Sequence, residues 1–222
     1  MAHVISIVTS TLNRKSLKDT CASVEAQTFS EWHHYVIGDG VVPTDYYHPQ
    51  RTTIGFTRPL GAFEPSIDKP LGTPNPILRW AIKHLALGEF LCFLDDDNTY
   101  EESFLVTMLN ALKTSEAGIA LCGLNDWRED DIHDGYPELG RCDNSGFLVY
   151  SRIAKEIGFP YGVEGEENIE DFRFIQSCAE RYGWVHVPER LVNFGINPLV
   201  EPSSDRIEQY EHNSFVIWKK LS

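Results

Sequence analysis

The sequence is short of positive charge. It has 19 Lys and Arg residues against 33 Asp and Glu residues, which gives a formal net charge of −14 over 222 residues. Binding to nucleic acid without sequence preference depends on Lys and Arg side chains that displace phosphate counterions, and anionic lipid likewise attracts basic segments. The composition therefore argues against both partners, and a phosphate-bearing ligand requires a local source of positive charge.

The sequence also lacks the patterns of disulfide frameworks, zinc sites and membrane spans. Its five cysteines are widely spaced, and no two of them form a C-x-x-C pair. The start of the chain has neither the basic residues nor the apolar stretch of a secretory signal. The longest apolar run, residues 90–94, is far shorter than a membrane span. These absences predict a cytoplasmic protein without a membrane span.

What the sequence does have is the composition and periodicity of one globular α/β domain. Hydrophobic residues make up 42% of the chain and aromatic residues 12%, as expected for a packed core. Short apolar runs predict strands at residues 5–8, 35–37, 90–94, 119–124, 146–150 and 184–187. Helical spacing of apolar residues predicts helices over residues 17–28, 76–85, 104–112 and 169–182. The β-α-β order of the first forty residues predicts parallel strands.

Polar residues before the predicted helices indicate how these helices begin. Asn13 and Asn75 are expected to cap the first two helices, and Thr99 with Glu102 forms a capping-box pattern for the third. Between the first two helices, residues 57–76 contain five of the twelve prolines. This stretch predicts a long loop, and long loops in compact domains are usually functional or mobile.

The strongest chemical signal is the tripeptide Asp95-Asp96-Asp97, which directly follows a predicted buried strand. Ligands of open α/β sheets bind outside the carboxyl ends of the strands. Three adjacent carboxylates repel one another, and a hard cation such as Mg²⁺ or Mn²⁺ would relieve that repulsion. If the strand continues, Asp95 and Asp97 lie on one face and Asp96 on the other. The alternative is a solvated turn with helix-capping acids.

A second acidic group lies at the start of the last predicted helix. Residues 164–171 include five acids, of which Glu170 and Asp171 are the last two. Acids at this position stabilise the positive end of the helix dipole, and with Asn168 as cap Asp171 falls at the capping-box position. The functional alternative is that Asp171 acts as a general base on a hydroxyl group.

Other residues near strand ends permit more than one interpretation. Asp39, between two glycines after the second predicted strand, suits either a tight turn or a contact to a ribose or base. No glycine-rich phosphate loop and no G-x-G-x-x-G motif follows the first strand, which argues against nucleotidyltransferases and dinucleotide-binding enzymes. His33, His34 and His48 lack partners at metal-ligand spacing, so we expect them at the surface.

Taken in order, these motifs resemble those of family 2 glycosyltransferases with the GT-A fold. Residues 5–14 resemble the opening strand and T-x-N-R turn, residues 23–29 the S-V-x-x-Q-T-F segment, and residues 32–40 the strand that ends in D-D-G. Residues 87–97 resemble the G-E-(Y/F)-(I/L)-x-x-L-D-x-D segment, residues 169–171 the E-D motif and residues 210–214 the Y-R-x-H-x-x-S tail. The chain departs from the pattern at Asp39, which stands alone where the family often has two acids.

The resemblance implies a fold and an activity. The fold would be a Rossmann-like, mostly parallel sheet flanked by helices, with one catalytic domain over residues 1–222. Residues 1–97 would form the nucleotide-binding half and residues 98–222 the acceptor-binding half. The activity would be Mn²⁺- or Mg²⁺-dependent transfer of a sugar from a UDP-linked donor to a hydroxyl of a glycan or other acceptor, with inversion. A retaining enzyme and a non-catalytic nucleotide-sugar-binding module stay open as alternatives.

The resemblance also assigns roles to individual residues. The nucleoside would contact Thr9, Thr11 and Asp39, and Arg14 would hold the nucleotide region. Asp95 would face the ribose or sugar or share the metal with Asp97, and Asp96 could take either role because the register of D-x-D is ambiguous. Asp171 would deprotonate the acceptor, with Glu170 beside it. His212 would contact the metal or a phosphate, unless it is a surface residue.

Overall fold

A computed structural model describes residues 3–44, 46–57, 75–125, 133–161 and 169–195 of the chain. The strands within these residues are β1 (Ile5–Thr11), β2 (Trp32–Gly38), β3 (Arg51–Gly55), β4 (Phe90–Phe93), β5 (Thr99–Tyr100), β6 (Ile119–Asn125), β7 (Phe147–Tyr150) and β8 (Trp184–Asn193). The helices are α1 (Leu17–Glu25), α2 (Asn75–Leu85), α3 (Phe104–Thr114), α4 (Ser151–Ile157) and α5 (Glu170–Tyr182). None of these helices has the length and apolar character needed to cross a bilayer.

The eight strands form one sheet in the order β3-β2-β1-β4-β7-β6-β8-β5. The first four strands in this order are parallel to one another. Strand β7 runs antiparallel to both β4 and β6, β6 is parallel to β8, and β5 is antiparallel to β8. Six strands therefore share one direction, which confirms the predicted α/β fold with a mostly parallel sheet. The carboxyl ends of β1, β2 and β4 meet at one edge.

Helices cover both faces of the sheet with apolar stripes. On one face, Ile77 and Ala81 of α2, Ile153 of α4 and Phe174 of α5 pack against the strands. On the other face, the apolar stripe of α3 does the same, with Leu105, Met108, Leu109 and Leu112 in the core. Burying a side chain of this size stabilises the fold by about 1.5–3 kcal/mol. The periodic spacing of these residues is what made the helices predictable.

Two of the expected helix caps are wrong. Asn13 does not cap α1, because the helix begins four residues later, with Ser16 at the N-cap, and Asn13 adopts a left-handed conformation (φ 63°). Thr99 does not start a capping box, because residues 99–100 form strand β5. Tyr100 is buried there: its ring stacks on Phe104 with centroids 3.7 Å apart, and its hydroxyl donates to the Phe93 carbonyl.

The structure adds elements that the sequence pattern did not predict. Strand β3, the short helix α4 and the second half of β8 are all new. The predicted end of the last helix at Gly183 is confirmed, with φ at 70°. The prediction for His34 is wrong, because this side chain is fully buried. Residues 58–74, 164–168, His212 and the rest of the tail lie outside the described residues.

Candidate active site

The candidate site begins at Thr11, the last residue of β1, which forms hydrogen bonds with two acidic residues. Its carbonyl accepts a 2.9 Å hydrogen bond from the backbone N–H of Asp39, and its hydroxyl donates a 2.6 Å bond to Asp96 Oδ2. Both acids are buried, at 8% and 5% exposure. The expected meeting of strand ends thus brings Asp39 and the aspartate tripeptide to one edge of the sheet.

Arg14 supplies the positive charge at this edge. Its Nη1 atom lies 2.9 Å from Asp97 Oδ2 and 3.2 Å from Asp96 Oδ1. The turn that carries it is held by a hydrogen bond from the Asn13 N–H to the Thr11 hydroxyl. Burial raises the pKa of Asp96, while the Arg14 charge and the Thr11 hydrogen bond act to lower it. Arg14 therefore contacts carboxylates directly, next to the place where a nucleotide phosphate is expected.

The Asp95 residue contacts a different set of residues, which lie in the turn before β7. Its Oδ1 accepts a 3.3 Å hydrogen bond from Asn144 Nδ2, and its backbone N–H donates to the Ser145 hydroxyl. Burial raises the pKa of Asp95 well above its ordinary value, and the charges of Asp143 and Asp97 raise it further. The tripeptide is therefore divided: Asp96 lies against β1, whereas Asp95 and Asp97 lie close to Asp143.

Asp143 is a member of the site that the sequence analysis missed. Its pKa is raised to about 7, first by burial and then by the charges of Asp171 and Asp97, against hydrogen bonds from Ser145. Asp143 thus links the acids after β4 with the acid at the start of α5. The local signal was a D-N-S-G turn before an apolar strand, but only the reversed direction of β7 brings this turn to the crevice.

Glu170 and Asp171 are the first two residues of α5. The N-cap position belongs to Ile169, so Asp171 lies one position too early for the capping box considered above. Its Oδ1 accepts a 2.7 Å hydrogen bond from the Phe172 N–H. Burial raises the pKa of Asp171, and the neighbouring Glu170 charge adds to this effect. A carboxylate with a raised pKa is a stronger base, as proton abstraction requires.

Thr9 has a structural partner instead of an exposed position in the crevice. It is fully buried, and its hydroxyl lies 2.9 Å from His34 Nε2. Arg51 Nε donates to His34 Nδ1, so the proton of this neutral imidazole is on Nε2 and points at the Thr9 oxygen. The Thr9 hydroxyl is therefore engaged with His34, and a contact between Thr9 and the nucleoside stays a prediction.

The donor atoms of the site fit a hard divalent cation in kind. Asp95, Asp97, Asp143 and Asn144 all present oxygen atoms, which Mg²⁺ and Mn²⁺ prefer. Asn144 Oδ1 is buried, and no described residue donates a hydrogen bond to it. Among the described residues, no three His, Cys, Asp or Glu side chains form a group that could hold a metal ion. Binding a cation therefore requires side chains of this group to rotate.

Comparison with known proteins identifies the fold. No protein-family model matches the chain, and no curated protein matches it in sequence. Similar solved structures include S. aureus TarS 1-349 with UDP-GlcNAc (TM-score 0.62, 15% identity, 87% of this chain and 59% of that one). Its complex with UDP gives a TM-score of 0.60 at 16% identity, over 88% of this chain and 61% of that one.

A mannosyltransferase is similar to the same extent. PcManGT from Pyrobaculum calidifontis, solved with GDP-Man and Mn²⁺, gives a TM-score of 0.64 at 15% identity. The match covers 89% of this chain and 58% of the mannosyltransferase. The chain thus spans about three fifths of the length of these structures. At such identities the likeness concerns the fold, and the chain has the GT-A glycosyltransferase fold that the motif resemblance implied.

Proposed function

We propose that this chain is a glycosyltransferase that moves a sugar from a UDP-linked donor to a hydroxyl group of a glycan or similar acceptor, with Mn²⁺ or Mg²⁺ as cofactor. The observation that carries the proposal is the group of half-buried carboxylates Asp95, Asp97, Asp143 and Asp171 at the carboxyl edge of a GT-A sheet, where burial raises the pKa values of Asp95, Asp143 and Asp171. Mutually repelling, partly buried acids are costly for stability, so their presence here supports a cationic ligand.

On the donor side, the turn after β1 and the end of β2 bind the nucleoside. Asp39 lies at the end of β2, where a short carboxylate accepts hydrogen bonds from ribose hydroxyls or a base. Thr11 positions Asp39 through its carbonyl and Asp96 through its hydroxyl, with one hydrogen bond to each. Arg14, one third exposed, lies beside Asp97 and provides positive charge for the diphosphate. Together these residues admit an anionic donor into an acidic protein.

Asp95 and Asp97 would hold the cation, with Asp143 and the Asn144 side-chain oxygen as further ligands. When bound, a divalent cation stabilises the negative charge that develops on the leaving diphosphate. Asp96 contributes differently: it accepts one hydrogen bond from Thr11 and lies 3.2 Å from Arg14, so it fixes the turn after β1. The D-x-D register that these contacts favour is therefore Asp95 with Asp97.

On the acceptor side, Asp171 takes the proton from the attacking hydroxyl. The sugar–phosphate bond breaks on one face of the sugar while the new bond forms on the other, which inverts the anomeric carbon. Glu170 is 7% exposed and adjoins Asp171, and its negative charge helps to keep the pKa of Asp171 raised. Different carboxylates would thus serve the two sides of the reaction: Asp95 and Asp97 on the donor side, and Asp171 on the acceptor side.

Calorimetry with UDP and Mn²⁺ tests the donor site. We expect wild-type chain to bind UDP at least about tenfold more tightly with Mn²⁺ than in EDTA, a difference of about 1.4 kcal/mol. Asp97→Ala should lose this difference, whereas Glu180→Gln, an exposed acid on α5, should keep it. Equal UDP binding with and without metal in both wild type and Asp97→Ala would contradict the proposal.

A screen of nucleotide-sugars tests the reaction. Metal-dependent hydrolysis of one donor in the absence of acceptor is the expected result. The anomeric configuration of the first product, read by NMR before it equilibrates, distinguishes inversion from retention. Donor binding without any turnover would instead support a non-catalytic module.

A further inference from the structure

A cavity of about 650 Å³ opens on the helical face formed by α2, α4 and α5. Its walls come from α2, from the end of α4 and the segment that follows it, and from one residue of α5. The lining residues that carry charge or a hydroxyl group are Arg79, Lys83, Lys155, Tyr161 and Ser177. None of the residues assigned to the donor site lines this cavity, so it is a separate feature of the fold.

The charge of the cavity is opposite to that of the protein. Three cations line it, and none of its described lining residues is an acid, although the chain as a whole has a net charge of −14. Arg79 and Lys83 are four residues apart on α2 and therefore share one face, where like charges destabilise a helix by about 0.2–0.5 kcal/mol. Lys155 faces them from α4. A bound anion would offset this repulsion.

The Arg79 guanidinium is fixed in place at the rim. Its Nη1 atom donates a 2.6 Å hydrogen bond to the Pro160 carbonyl, and its centre lies 3.7 Å from the centroid of the Tyr161 ring. Neither Lys83 nor Lys155 forms an ion pair with a described residue, and both are exposed. The cavity thus combines one rigid guanidinium with two ammonium groups that are available to a ligand.

The remaining walls are apolar. Ile82, Ile157 and Phe159 line the cavity, and the Tyr161 ring is 69% exposed at its rim. Apolar and aromatic surface of this kind packs against the C–H faces of a sugar ring, while the cations would bind a charged substituent. A small inorganic anion would leave most of a 650 Å³ cavity empty.

One wall residue of the cavity belongs to α5, the helix that also carries the proposed base. Ser177, in its wall, is six residues after Asp171 on α5, which corresponds to roughly 9 Å along the helix axis. That separation is close to the length of one or two sugar units. A saccharide with a charged group in the cavity could therefore extend toward Asp171.

From these observations we infer that the cavity binds an anionic saccharide, in which a phosphate or carboxylate group contacts Arg79, Lys83 and Lys155. Because the cavity adjoins the helix of the proposed base, this saccharide is part of the acceptor. That second statement rests on the proposed glycosyltransferase activity, whereas the binding of an anionic sugar does not.

NMR titration of the full chain tests the inference with four probes: glucose 6-phosphate, glucuronate, inorganic phosphate and glucose. We expect at least one of the two anionic sugars to shift the amide signals of Ile157, Phe159, Tyr161 and Ser177, and glucose to leave them unchanged. The double variant Lys83→Gln/Lys155→Gln should bind that sugar at least about tenfold more weakly, because each lysine provides a charge-assisted hydrogen bond. The matched control is Lys18→Gln/Lys113→Gln, which removes two exposed lysines elsewhere.

Each other outcome counts against the inference. If neither anionic sugar shifts these signals, or if the cavity variant and the control bind equally, the cavity is not the site. If inorganic phosphate binds as tightly as glucose 6-phosphate, the cavity binds an anion without recognising the sugar.

Hydrolysis of the nucleotide-sugar donor, measured on the same variants, separates this inference from the proposed function. The cavity variant should hydrolyse donor at the wild-type rate. Failure of hydrolysis in wild type, with anionic sugars still bound, removes the glycosyltransferase proposal and leaves the binding site. Hydrolysis of the donor without binding of an anionic sugar removes the binding site in the cavity and leaves the glycosyltransferase proposal.

Discussion

The guanidinium of Arg14 lies 2.9 Å from the carboxylate of Asp97, across 83 residues of sequence. A second contact, at 3.2 Å, joins the same nitrogen to Asp96. The positive charge of Arg14 therefore lies at the place where the proposed metal ion and diphosphate would bind. The electrostatics of the crevice depend on this arginine as long as no metal is bound.

Replacing Arg14 by Met should destabilise the metal-free chain. The substitution leaves Asp96 and Asp97 without their counter-charge, and because Arg14 is partly exposed we expect a cost of about 1–2 kcal/mol, below that of a fully buried pair. For a chain of this size the melting temperature should fall by roughly 2–8 °C. Differential scanning calorimetry in EDTA measures this change.

The control for this experiment is Arg181→Met. Arg181 also forms a 2.9 Å ion pair, with Glu156, but both side chains are more than half exposed. Exposed pairs contribute about 0–1 kcal/mol, so a much smaller fall is expected. Equal losses in the two variants would show that the Arg14 contacts have no special electrostatic role.

Much of the fold was predictable because its strands and helices have strong local patterns. The apolar runs of β1, β4 and β6 and the stripes of α2, α3 and α5 all appear where the spacing predicts them. Strand β3 has no such pattern. Its residues form a strand because they pair with β2, where Ile54 lies opposite Ile37 at the edge of the sheet. Only long-range pairing determines that segment.

A pH titration of stability should reveal Asp143. In the folded chain its pKa is about 7, against an ordinary value of 3.8, so the folded state holds this proton more tightly than the unfolded state. The stabilisation is therefore present below about pH 4 and is lost as the pH rises through 7. In EDTA, the free energy of unfolding of wild type should decline across this interval.

Asp143→Asn should flatten that decline. An amide cannot ionise, so the variant should be more stable than wild type at pH 8 and should melt at a higher temperature there. Urea denaturation at pH 4, 6 and 8 provides the comparison. The same variant should bind Mn²⁺ more weakly. Parallel pH profiles for wild type and variant would mean that Asp143 does not carry the shifted titration.

The contrast between Asp95 and Asp143 shows which residues of the candidate site can be selected from the sequence and which cannot. Asp95 directly follows an apolar strand, and the rule that ligands bind at carboxyl ends of strands was enough to select it. Asp143 precedes its strand, so the same rule places it at the opposite edge. It reaches the crevice because β7 runs antiparallel to β4, with Tyr150 opposite Phe90. No local feature of the turn indicates that direction.

Asp171→Asn should abolish sugar transfer with little effect on donor binding. The amide keeps the shape of the side chain but cannot accept the acceptor proton, and loss of a general base reduces rates by about 10²–10⁴-fold. Transfer to acceptor measures the rate, and UDP calorimetry measures binding. Glu170→Gln is the control, since it removes the adjacent charge and leaves the base. Unchanged turnover in Asp171→Asn would remove this residue from the mechanism.

Thr9 and Thr11 are alternate residues on β1, yet the structure gives them different roles, and matched Val substitutions should separate these roles. Thr9→Val leaves the buried His34 Nε2–H without an acceptor, which should cost about 1–3 kcal/mol of stability. Its UDP affinity should stay within about twofold of wild type, a change of about 0.4 kcal/mol, because the side chain has no exposure to the crevice.

Thr11→Val, unlike Thr9→Val, should weaken the binding of UDP. It removes the hydrogen bond to Asp96 and the acceptor for the Asn13 N–H, so the turn that carries Arg14 loses two contacts. We expect UDP affinity in Mn²⁺ to fall about five- to tenfold, which is about 1–1.4 kcal/mol. Because both variants lose one buried hydroxyl from the same strand, a general loosening of the fold would lower UDP affinity equally in both. Only a specific role for the turn after β1 gives a larger binding loss in Thr11→Val than in Thr9→Val.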